Sequence, residues 1–256
     1  MAPLFSIITV TYNAASTLPA TLASVKEQTC TLYEYIVMDG VSKDNTVQLA
    51  KDANIPNARI VSSPDKGLYD AMNKAIDIAT GEYLIFLNAG DAFHSPDTLQ
   101  KIADAVMNHD FPGIVYGQTQ LVNASRQRIG DRHLTAPEEL TFKSFAEGML
   151  VCHQAFITLR KVASHYDLRY RFSADYEWCI RCLQRSRNNV YIPHIIIDYL
   201  SEGLTTANRK ASLIERFKIM CHYYGTFPTI IRHLKFIPRF LKQRRIDKKT
   251  AQIQQI

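Results

Sequence analysis

The stretch Gly81-Glu82-Tyr83-Leu84-Ile85-Phe86-Leu87-Asn88-Ala89-Gly90-Asp91 decides the fold. Its five consecutive apolar residues, Tyr83 to Leu87, have the length of a buried strand and are too few for a free-standing helix. A strand that is buried on both faces belongs to a mainly parallel sheet covered by helices, and such sheets bind ligands beyond the carboxyl ends of their strands. Here the strand ends in Asn88, two small residues and Asp91. This end either holds a metal ion that carries phosphates or is only a turn.

The N-terminal half alternates between strand-like and helix-like segments. Predicted strands lie at residues 5–11, 33–38, 59–62, 83–87 and 114–117, and predicted helices at 16–27, 45–52, 65–79 and 95–108. Asp65 is expected to cap the third of these helices. Alternating strands and helices predict an α/β fold with a Rossmann-like, mainly parallel sheet, right-handed crossovers and helices on both faces.

The bulk composition is that of a globular protein. The chain has 256 residues, of which 46% are hydrophobic and 21% charged, enough for one large α/β core. We predict no transmembrane span, because no run of about 18 apolar residues occurs, and no signal peptide. The 5 cysteines are scattered, which suits a reducing compartment. Cys179 and Cys182 lie in a helix-like stretch, where ordinary thiols are favoured over zinc or redox chemistry.

The net charge of +6 is unevenly distributed along the chain. From Arg209 onward the chain carries a charge of +10, and the residues before it carry −4. The basic character therefore belongs to the C-terminal segment and argues against nucleic acid as a partner of the core. We predict a domain at residues 1–208 and a basic helical tail at residues 209–256.

The tail combines apolar and basic residues at helical spacing. Its apolar positions are Phe227, Ile230, Ile231, Leu234, Ile237 and Leu241. Pro238 is expected to kink or break the helix. Basic amphipathic segments lie on anionic membrane surfaces, and we predict such a contact here. The alternative is a helix that packs on the protein with a solvated basic face.

Polar groups follow each of the first four predicted strands. They are Thr11-Tyr12-Asn13, Asp39-Gly40-Val41-Ser42-Lys43-Asp44, Asp65-Lys66-Gly67 and Asn88-Ala89-Gly90-Asp91. The carboxyl ends of parallel strands meet at one edge, so these groups are expected to converge there. The set suits a nucleotide, with Tyr12 for the base, Asp39 for an imide or a ribose hydroxyl, and Asp91 for a metal on the phosphates. Each group alone is also typical of a loop or helix cap.

Four segments at these positions resemble the family 2 glycosyltransferases. They are Ser6 to Asn13, Met38 to Thr46, Asp65 to Lys74 and Gly81 to Asp91, in the family's order and spacing. The resemblance implies a GT-A fold and an inverting transfer from a nucleotide-diphospho-sugar, with UDP as the expected nucleotide. The variant Asp-Lys-Gly-Leu-Tyr-Asp-Ala-Met-Asn-Lys is similar to bacterial enzymes of exopolysaccharide assembly, such as the colanic acid type. The chain has neither G-x-G-x-x-G nor a P-loop motif, so dinucleotide or P-loop chemistry is not indicated.

The resemblance also implies which residues bind the donor. They are Thr11, Tyr12, Asn13, Asp39, Gly40, Asp65, Lys66, Asn73, Asn88, Ala89 and Gly90. At the end of the fourth strand the family commonly has Asp-x-Asp-Asp, whereas this chain keeps only the last acid, Asp91. Asp91 is therefore the predicted ligand of Mg²⁺ or Mn²⁺, since Mg²⁺ needs few protein ligands beside phosphate oxygens. Metal affinity without the nucleotide is expected to be poor.

The second half of the chain is predicted to serve the acceptor. Asp175 stands where a helix begins, and by spacing alone an N-cap is favoured. The resemblance implies instead that Asp175 is the catalytic base, and one base without an enzyme nucleophile implies inversion. His153 and Gln154 are candidates for acceptor contact, with a partly buried structural histidine as an equal alternative for His153. Ser201-Glu202-Gly203 loosely resembles the segment that closes such sites.

These assignments divide the first domain into a nucleotide-sugar half at residues 1–117 and an acceptor half at residues 118–208. The implied acceptor is a glycan or a lipid-linked glycan of surface polysaccharide synthesis. With the basic tail, this predicts a cytoplasmic enzyme, peripheral on the inner face of the cytoplasmic membrane. Two other classes stay open. A sugar nucleotidyltransferase needs a Gly-rich phosphate loop near the N-terminus, which residues 9–15 lack, and a non-catalytic nucleotide-sugar-binding module is compatible with the missing acids.

Overall fold

The computed structural model describes residues 2–201 and 209–234, which form a central sheet packed between helices. The strands are β1 Phe5–Thr11, β2 Tyr33–Asp39, β3 Ala58–Ser62, β4 Tyr83–Phe86, β5 Ala92–Phe93, β6 Ile114–Val122, β7 Arg128–Asp131, β8 Phe156–Leu159 and β9 Asn189–Leu200. The helices are α1 Leu18–Lys26, α2 Thr46–Asp52, α3 Leu68–Ile78, α4 Thr98–Asn108, α5 Ala174–Arg185 and α6 Arg209–Tyr224. Short 3₁₀ turns occupy Phe142–Glu147 and His153–Ala155.

The sheet has the order β3-β2-β1-β4-β8-β6-β9-β5, with β7 beside β6. Strands β1 to β4 are parallel to one another, and β6 is parallel to β9. Because β8 is antiparallel to both β4 and β6, these two groups point in the same direction. Their carboxyl ends therefore share one edge of the sheet. This confirms the predicted α/β fold with a mainly parallel sheet, but the antiparallel β8 between β4 and β6 was not predicted.

The central strands are buried on both faces. Every residue of β1, β2 and β4 is buried, including the Tyr83–Phe86 segment that indicated the fold. Polar side chains on these strands pair internally, as when the hydroxyl of Ser6 donates to Oε1 of Glu34 at 2.6 Å. The helices cover the sheet with one apolar side each, and α3 buries Tyr69, Ala71, Met72 and Ala75. Burial of this kind is the main stabilising contribution to such a fold.

The start of α3 differs from the prediction. Gly67 precedes the first helical turn with a φ of 116°, a conformation that favours glycine, and it occupies the cap position expected for Asp65. Asp65 instead accepts the N–H of Gly67 at 2.8 Å through Oδ1. Its carboxylate thus stabilises the turn before the helix, and the prediction that it caps α3 was wrong.

Helix α6 packs on the core, although it follows the domain boundary predicted at residue 208. Ile219 is fully buried, and the hydroxyl of Tyr223 donates to Oε1 of the buried Glu177 at 2.5 Å. Glu215 accepts the N–H groups of Arg171 and Phe172 at 2.9 and 2.8 Å. These contacts tie α6 to α5 and to the loop before it, so residues 209–224 contribute to the folded domain.

A second helical segment, residues 226–234, follows α6 and exposes apolar side chains. They are Phe227, Ile230, Ile231 and Leu234, of which Phe227 is 74% exposed. Within residues 2–201 and 209–234, no helix has the length and apolar character needed to cross a membrane. The predicted kink at Pro238 lies outside the described residues, as does most of the predicted closing segment after Ser201.

Candidate active site

Hydrogen bonds around Ser42 join the loops that follow β1 and β2. The Ser42 hydroxyl accepts the N–H of Asn13 at 2.8 Å and donates to the carboxylate of Asp39. The N–H of Lys43 donates to Oδ1 of Asn13 at 2.8 Å. Asn13 itself has a φ of 49°, which asparagine tolerates better than most residues. The motif after β2 therefore holds the loop after β1 in one conformation.

Asp39 is fully buried at the centre of this network. Its Oδ1 accepts the hydroxyls of Thr11 at 3.0 Å and of Ser42, and its Oδ2 accepts the Ser42 N–H at 2.9 Å and the Ser62 hydroxyl at 2.7 Å. Burial raises the pKa of this carboxyl, but the hydrogen bonds outweigh burial and bring the pKa below its ordinary value. Asp39 is thus an ionised group that already links three strand ends. Its contact with the nucleotide base stays a prediction.

The loops leave an exposed ring beside a carboxylate at the sheet edge. The Tyr12 side chain, in the loop after β1, is 64% exposed. A Cβ on Gly40 would clash with Oδ2 of Asp65 and lie 3.5 Å from the Tyr12 ring. Glycine at position 40 therefore allows the three residues to approach one another. The structure brings Tyr12, Gly40 and Asp65 together, as the sequence predicted for parallel strand ends.

Two other residues predicted to bind the donor take part in the fold of α3. Lys66 is exposed, and its N–H donates to Oδ2 of Asp70 at 3.0 Å. The Asn73 side chain donates to the carbonyl of Tyr166 at 3.0 Å and accepts the Tyr166 N–H at 2.7 Å. Asn73 therefore joins α3 to the segment around Tyr166, and its role toward the donor stays a prediction.

Asp91 is buried, with only 4% of its surface exposed, and both its carboxylate oxygens have donors. Oδ2 accepts the side-chain amide of Gln154 at 2.7 Å, and Oδ1 accepts the N–H of Leu200 at 2.9 Å. Burial raises the pKa of Asp91 to about 7, against the opposing effect of these donors and of the Arg126 charge. Asp91 thus links the loop after β4 to the end of β9 and to Gln154, a residue predicted to meet the acceptor.

The loop after β4 does not fit a divalent cation as it stands. Mg²⁺ and Mn²⁺ prefer carboxylate oxygens, yet Asp91 is engaged on both sides, and positions 88 and 90 carry Asn and Gly. One neutral oxygen is open, since Oδ1 of Asn88 is buried without a hydrogen-bond donor in the part of the chain that the structure describes. The same residues contain no group of three His, Cys, Asp or Glu side chains that could hold a metal ion. Metal binding by Asp91 stays a prediction.

A cation that sequence reasoning did not identify lies on this loop. Arg126, in the turn between β6 and β7, donates from Nη1 to the carbonyl of Gly90 at 2.7 Å. Its Nη2 lies 3.8 Å from Oδ2 of Asp198, and 30% of the Arg126 side-chain surface is exposed to solvent. Nothing in the sequence around Arg126 distinguishes it from its neighbour Arg128, because only the pairing of β6 with β9 brings the turn to the loop.

Asp175 lies in the first turn of α5, and Ser173 precedes the helix as its N-cap residue. The interpretation of Asp175 as the N-cap, which spacing alone favoured, was therefore wrong. Its Oδ1 accepts the hydroxyl of Tyr69 at 3.1 Å and the N–H of Tyr176 at 2.8 Å. The half-buried carboxylate thus has a fixed orientation and faces α3, the helix that follows the Asp65 loop.

His153 belongs to an aromatic cluster beneath Asp175. Its Nε2 lies 2.7 Å from the hydroxyl of Tyr166, and its ring stacks on Phe86 with the centroids 5.1 Å apart. Burial lowers the pKa of His153 to about 4, and the negative charge of Asp175 offsets part of that effect, so the imidazole is neutral at pH 7. His153 is more deeply buried than the partly buried structural histidine of the alternative, and its role toward the acceptor stays a prediction.

The site is therefore one edge of the sheet with two chemical parts. The loops after β1, β2 and β3 surround Tyr12, and the loop after β4 meets Gln154 and Arg126. The adjacent turn His153–Ala155 leads to the cluster that carries Asp175. Sequence reasoning missed Tyr69 as a partner of Asp175, although Tyr69 stands inside the quoted Asp65 to Lys74 motif.

Comparison with known proteins gives a consistent result. A family model described as glycosyl transferase family 2 matches residues 6–166. The PGL/p-HBAD biosynthesis glycosyltransferase of Mycobacterium bovis (strain BCG / Pasteur 1173P2) is 35% identical over 207 residues, 78% of each chain. The amylovoran biosynthesis glycosyltransferase AmsB of Erwinia amylovora is 26% identical over 212 residues, 76% of this chain and 69% of AmsB.

The fold has solved counterparts. The structure of S. aureus TarS 1–349 in complex with UDP-GlcNAc matches with a TM-score of 0.70 at 16% identity, over 91% of this chain and 73% of that one. The match confirms the predicted GT-A architecture. The family model covers more than half of the chain, and the mycobacterial relative extends the similarity well beyond it. This protein belongs to glycosyl transferase family 2.

Proposed function

We propose that this glycosyltransferase moves a sugar from a UDP-sugar to a hydroxyl group of a glycan or lipid-linked glycan, with inversion at the anomeric carbon. The observation that carries the proposal is the orientation of Asp175. Its Oδ1 is held by Tyr69 and by the Tyr176 N–H, and no donor among the described residues reaches its Oδ2. A half-buried carboxylate with one open oxygen is suited to accept a proton.

The reaction is a single displacement. Asp175 removes the proton from the acceptor hydroxyl, whose oxygen forms a bond to the anomeric carbon from the face opposite the nucleotide. The bond from that carbon to the β-phosphate oxygen breaks, and the nucleoside diphosphate leaves. A general base of this kind contributes about 10²–10⁴ to the rate. The neutral His153 packs against the rings of Phe86 and Trp178, in the buried cluster near this carboxylate.

The donor is assigned to the edge formed by the loops after β1, β2 and β3. The exposed ring of Tyr12 suits stacking against a nucleobase, and Asp65 beside it suits hydrogen bonds to base or ribose. The fold shared with TarS, which was solved with UDP-GlcNAc, supports UDP as the nucleotide. The loop after β4 does not fit Mg²⁺ or Mn²⁺ as it stands, so no step of this proposal depends on a metal ion.

The acceptor is assigned to a membrane-linked or surface glycan. The relative AmsB is named for amylovoran biosynthesis, which supports a polysaccharide product. Exposed Phe227, Ile230, Ile231 and Leu234 on the helical segment 226–234 precede a strongly basic sequence. Apolar side chains beside basic ones support binding to an anionic bilayer, where a lipid-linked acceptor would be concentrated. The enzyme would then act at the cytoplasmic face of the membrane.

Incubation with labelled nucleotide sugars and a lipid extract tests the proposal. A glycosyltransferase releases nucleoside diphosphate and transfers label to the acceptor, and NMR of the product linkage reads the anomeric configuration. Retention of configuration would exclude a single displacement. Formation of sugar 1-phosphate and nucleoside triphosphate only when pyrophosphate is added would indicate a nucleotidyltransferase. Binding of a nucleotide sugar without turnover would indicate a binding module.

A further inference from the structure

We propose that Arg126 is a donor-binding residue whose guanidinium takes the diphosphate of the nucleotide sugar at the loop after β4. This inference rests on the proposed function, because it names a residue for the same donor. It assigns the positive charge beside the leaving group to the protein chain and requires no divalent cation.

The topology brings Arg126 to the donor edge. Strand β6 points in the same direction as β4, so the turn after β6 lies at the edge where the loop after β4 lies. The turn is closed by the N–H of Arg126, which donates to the carbonyl of Asn123 at 2.9 Å. Arg126 has a φ of 62°, in the left-handed region. The Nη1 bond to the Gly90 carbonyl then places the guanidinium on the loop itself.

The loop after β4 lacks the negative charges that a metal ion needs, and the Arg126 guanidinium supplies a positive charge there instead. Positions 88 and 90 are neutral, and Asp91 is buried between Gln154 and Leu200. A guanidinium carries a permanent charge and presents its N–H groups in a planar fork that matches phosphate oxygens. It can therefore offset the charge of a departing diphosphate without the carboxylate ligands that a metal ion would need.

Asp198 anchors Arg126 without neutralising it fully. Oδ1 of Asp198 lies 2.7 Å from Nδ1 of His94 and accepts the amide of Gln120 at 2.8 Å. Oδ2 lies 3.8 Å from Nη2 of Arg126, beyond a direct hydrogen bond. The guanidinium therefore makes one hydrogen bond, to Gly90, among the described residues and keeps N–H groups for a ligand.

Isothermal titration in EDTA tests the inference with UDP, GDP and uridine as probes. For the nucleoside diphosphate that binds the wild-type protein, Arg126→Ala should weaken binding at least about tenfold, the value of a hydrogen bond to a charged group. Uridine affinity should not change, because uridine has no phosphate. Arg126→Lys should recover part of the affinity, since lysine keeps the charge and loses the fork. Melting temperatures identify any variant that fails to fold.

Arg128→Ala is the matched control, because Arg128 lies on the same hairpin and pairs with Asp131 at 2.8 Å. It should bind the diphosphate as the wild type does. Equal affinity of wild type and Arg126→Ala overturns this inference alone and leaves the proposed function standing. The inference fails in the same way if affinity depends on added Mn²⁺ and not on Arg126. Failure of the wild type to bind any nucleoside diphosphate would instead remove the proposed function and this inference together.

Discussion

The hydroxyl of Tyr69 donates a hydrogen bond across 3.1 Å to Oδ1 of Asp175, a residue 106 positions later in the chain. Tyr69 lies in the first turn of α3, directly after the Asp65 loop, and Asp175 lies in the first turn of α5. The bond therefore connects the loop assigned to the donor with the carboxylate assigned to the acceptor proton. Because it engages Oδ1, it leaves Oδ2 without a donor among the described residues.

Tyr69→Phe should slow transfer without weakening donor binding. The variant loses one hydrogen bond to a carboxylate, worth about 1.5–3 kcal/mol, but keeps the ring that stacks on Tyr166 at 5.5 Å. We expect turnover to fall by about 10- to 100-fold, with the KM for the donor unchanged. Tyr33→Phe is the control, since the Tyr33 hydroxyl bonds to the carbonyl of Val25. Unchanged turnover in Tyr69→Phe, or an equal loss in Tyr33→Phe, would show that the Tyr69 hydroxyl does not assist Asp175 in catalysis.

The sequence predicted what depends on local pattern. The apolar run Tyr83 to Leu87 indicated a parallel sheet because a strand buried on both faces needs continuous apolar character. The convergence of Tyr12, Gly40 and Asp65 followed from parallel strand ends alone. These features need no knowledge of which distant segments pair.

The features that were missed depend on long-range pairing. Arg126 reaches Gly90 only because β6 pairs with β9, and Tyr69 reaches Asp175 only because the fold brings the first turns of α3 and α5 together. Neither partner can be read from spacing along the chain. The wrong N-cap for α5 has a simpler cause, because Ser173 and Asp175 both suit a helix start and only backbone dihedrals separate them.

Asp39→Asn should destabilise the fold. The carboxylate accepts hydrogen bonds from Thr11 and Ser62 and two from Ser42. The asparagine amide has only one acceptor oxygen, and its NH₂ group would face two of these donors, so those hydrogen bonds would be lost. We expect a loss of about 2–4 kcal/mol in the free energy of unfolding near pH 7. The lowered pKa contributes stability that is present above the unfolded pKa and lost as pH falls through the folded one. The difference between the two proteins in urea titrations should therefore shrink in acid, and a constant difference would contradict this account.

Truncation should separate α6 from the basic sequence beyond it. A chain that ends at Asn208 lacks α6 and therefore loses the hydrogen bonds of Glu215 and Tyr223. It also exposes the core surface against which the buried Ile219 packs, so we expect a large fall in melting temperature or aggregation. A chain that ends at Leu234 keeps these contacts and should melt near the full-length protein. It should bind vesicles containing phosphatidylglycerol more weakly, because most of the basic charge has gone. Equal binding in high and low salt would contradict the electrostatic part of this contact.

Asp91 should make the protein less stable as the pH rises. The pKa of Asp91 is about 7 in the folded protein and 3.8 is its ordinary value. The contribution of Asp91 to the free energy of unfolding is therefore fully present below the unfolded pKa and is lost as pH rises through about 7. Relative to Asp91→Asn, the wild type should lose roughly 2–3 kcal/mol of unfolding free energy between about pH 5 and 8. Parallel pH curves for the two proteins would show that the buried carboxyl does not titrate there. If Mg²⁺ with UDP abolishes the difference, Asp91 has become a metal ligand.

Asp175→Asn gives the decisive test of the proposed base. Asparagine keeps an oxygen for the Tyr69 hydroxyl and the Tyr176 N–H, so the turn at the start of α5 should remain. Loss of one negative charge near a helix N-terminus costs about 0.3–1 kcal/mol, a small change in melting temperature. Transfer should nevertheless slow by about 10² or more, because an amide cannot accept the acceptor proton. Ser173→Ala is the matched control at the same helix start, since it removes the contact with Ser212 at 3.0 Å and leaves the carboxylate in place. We expect that control to lower stability and preserve turnover. A variant Asp175→Asn that turns over like the wild type would show that another group takes the proton.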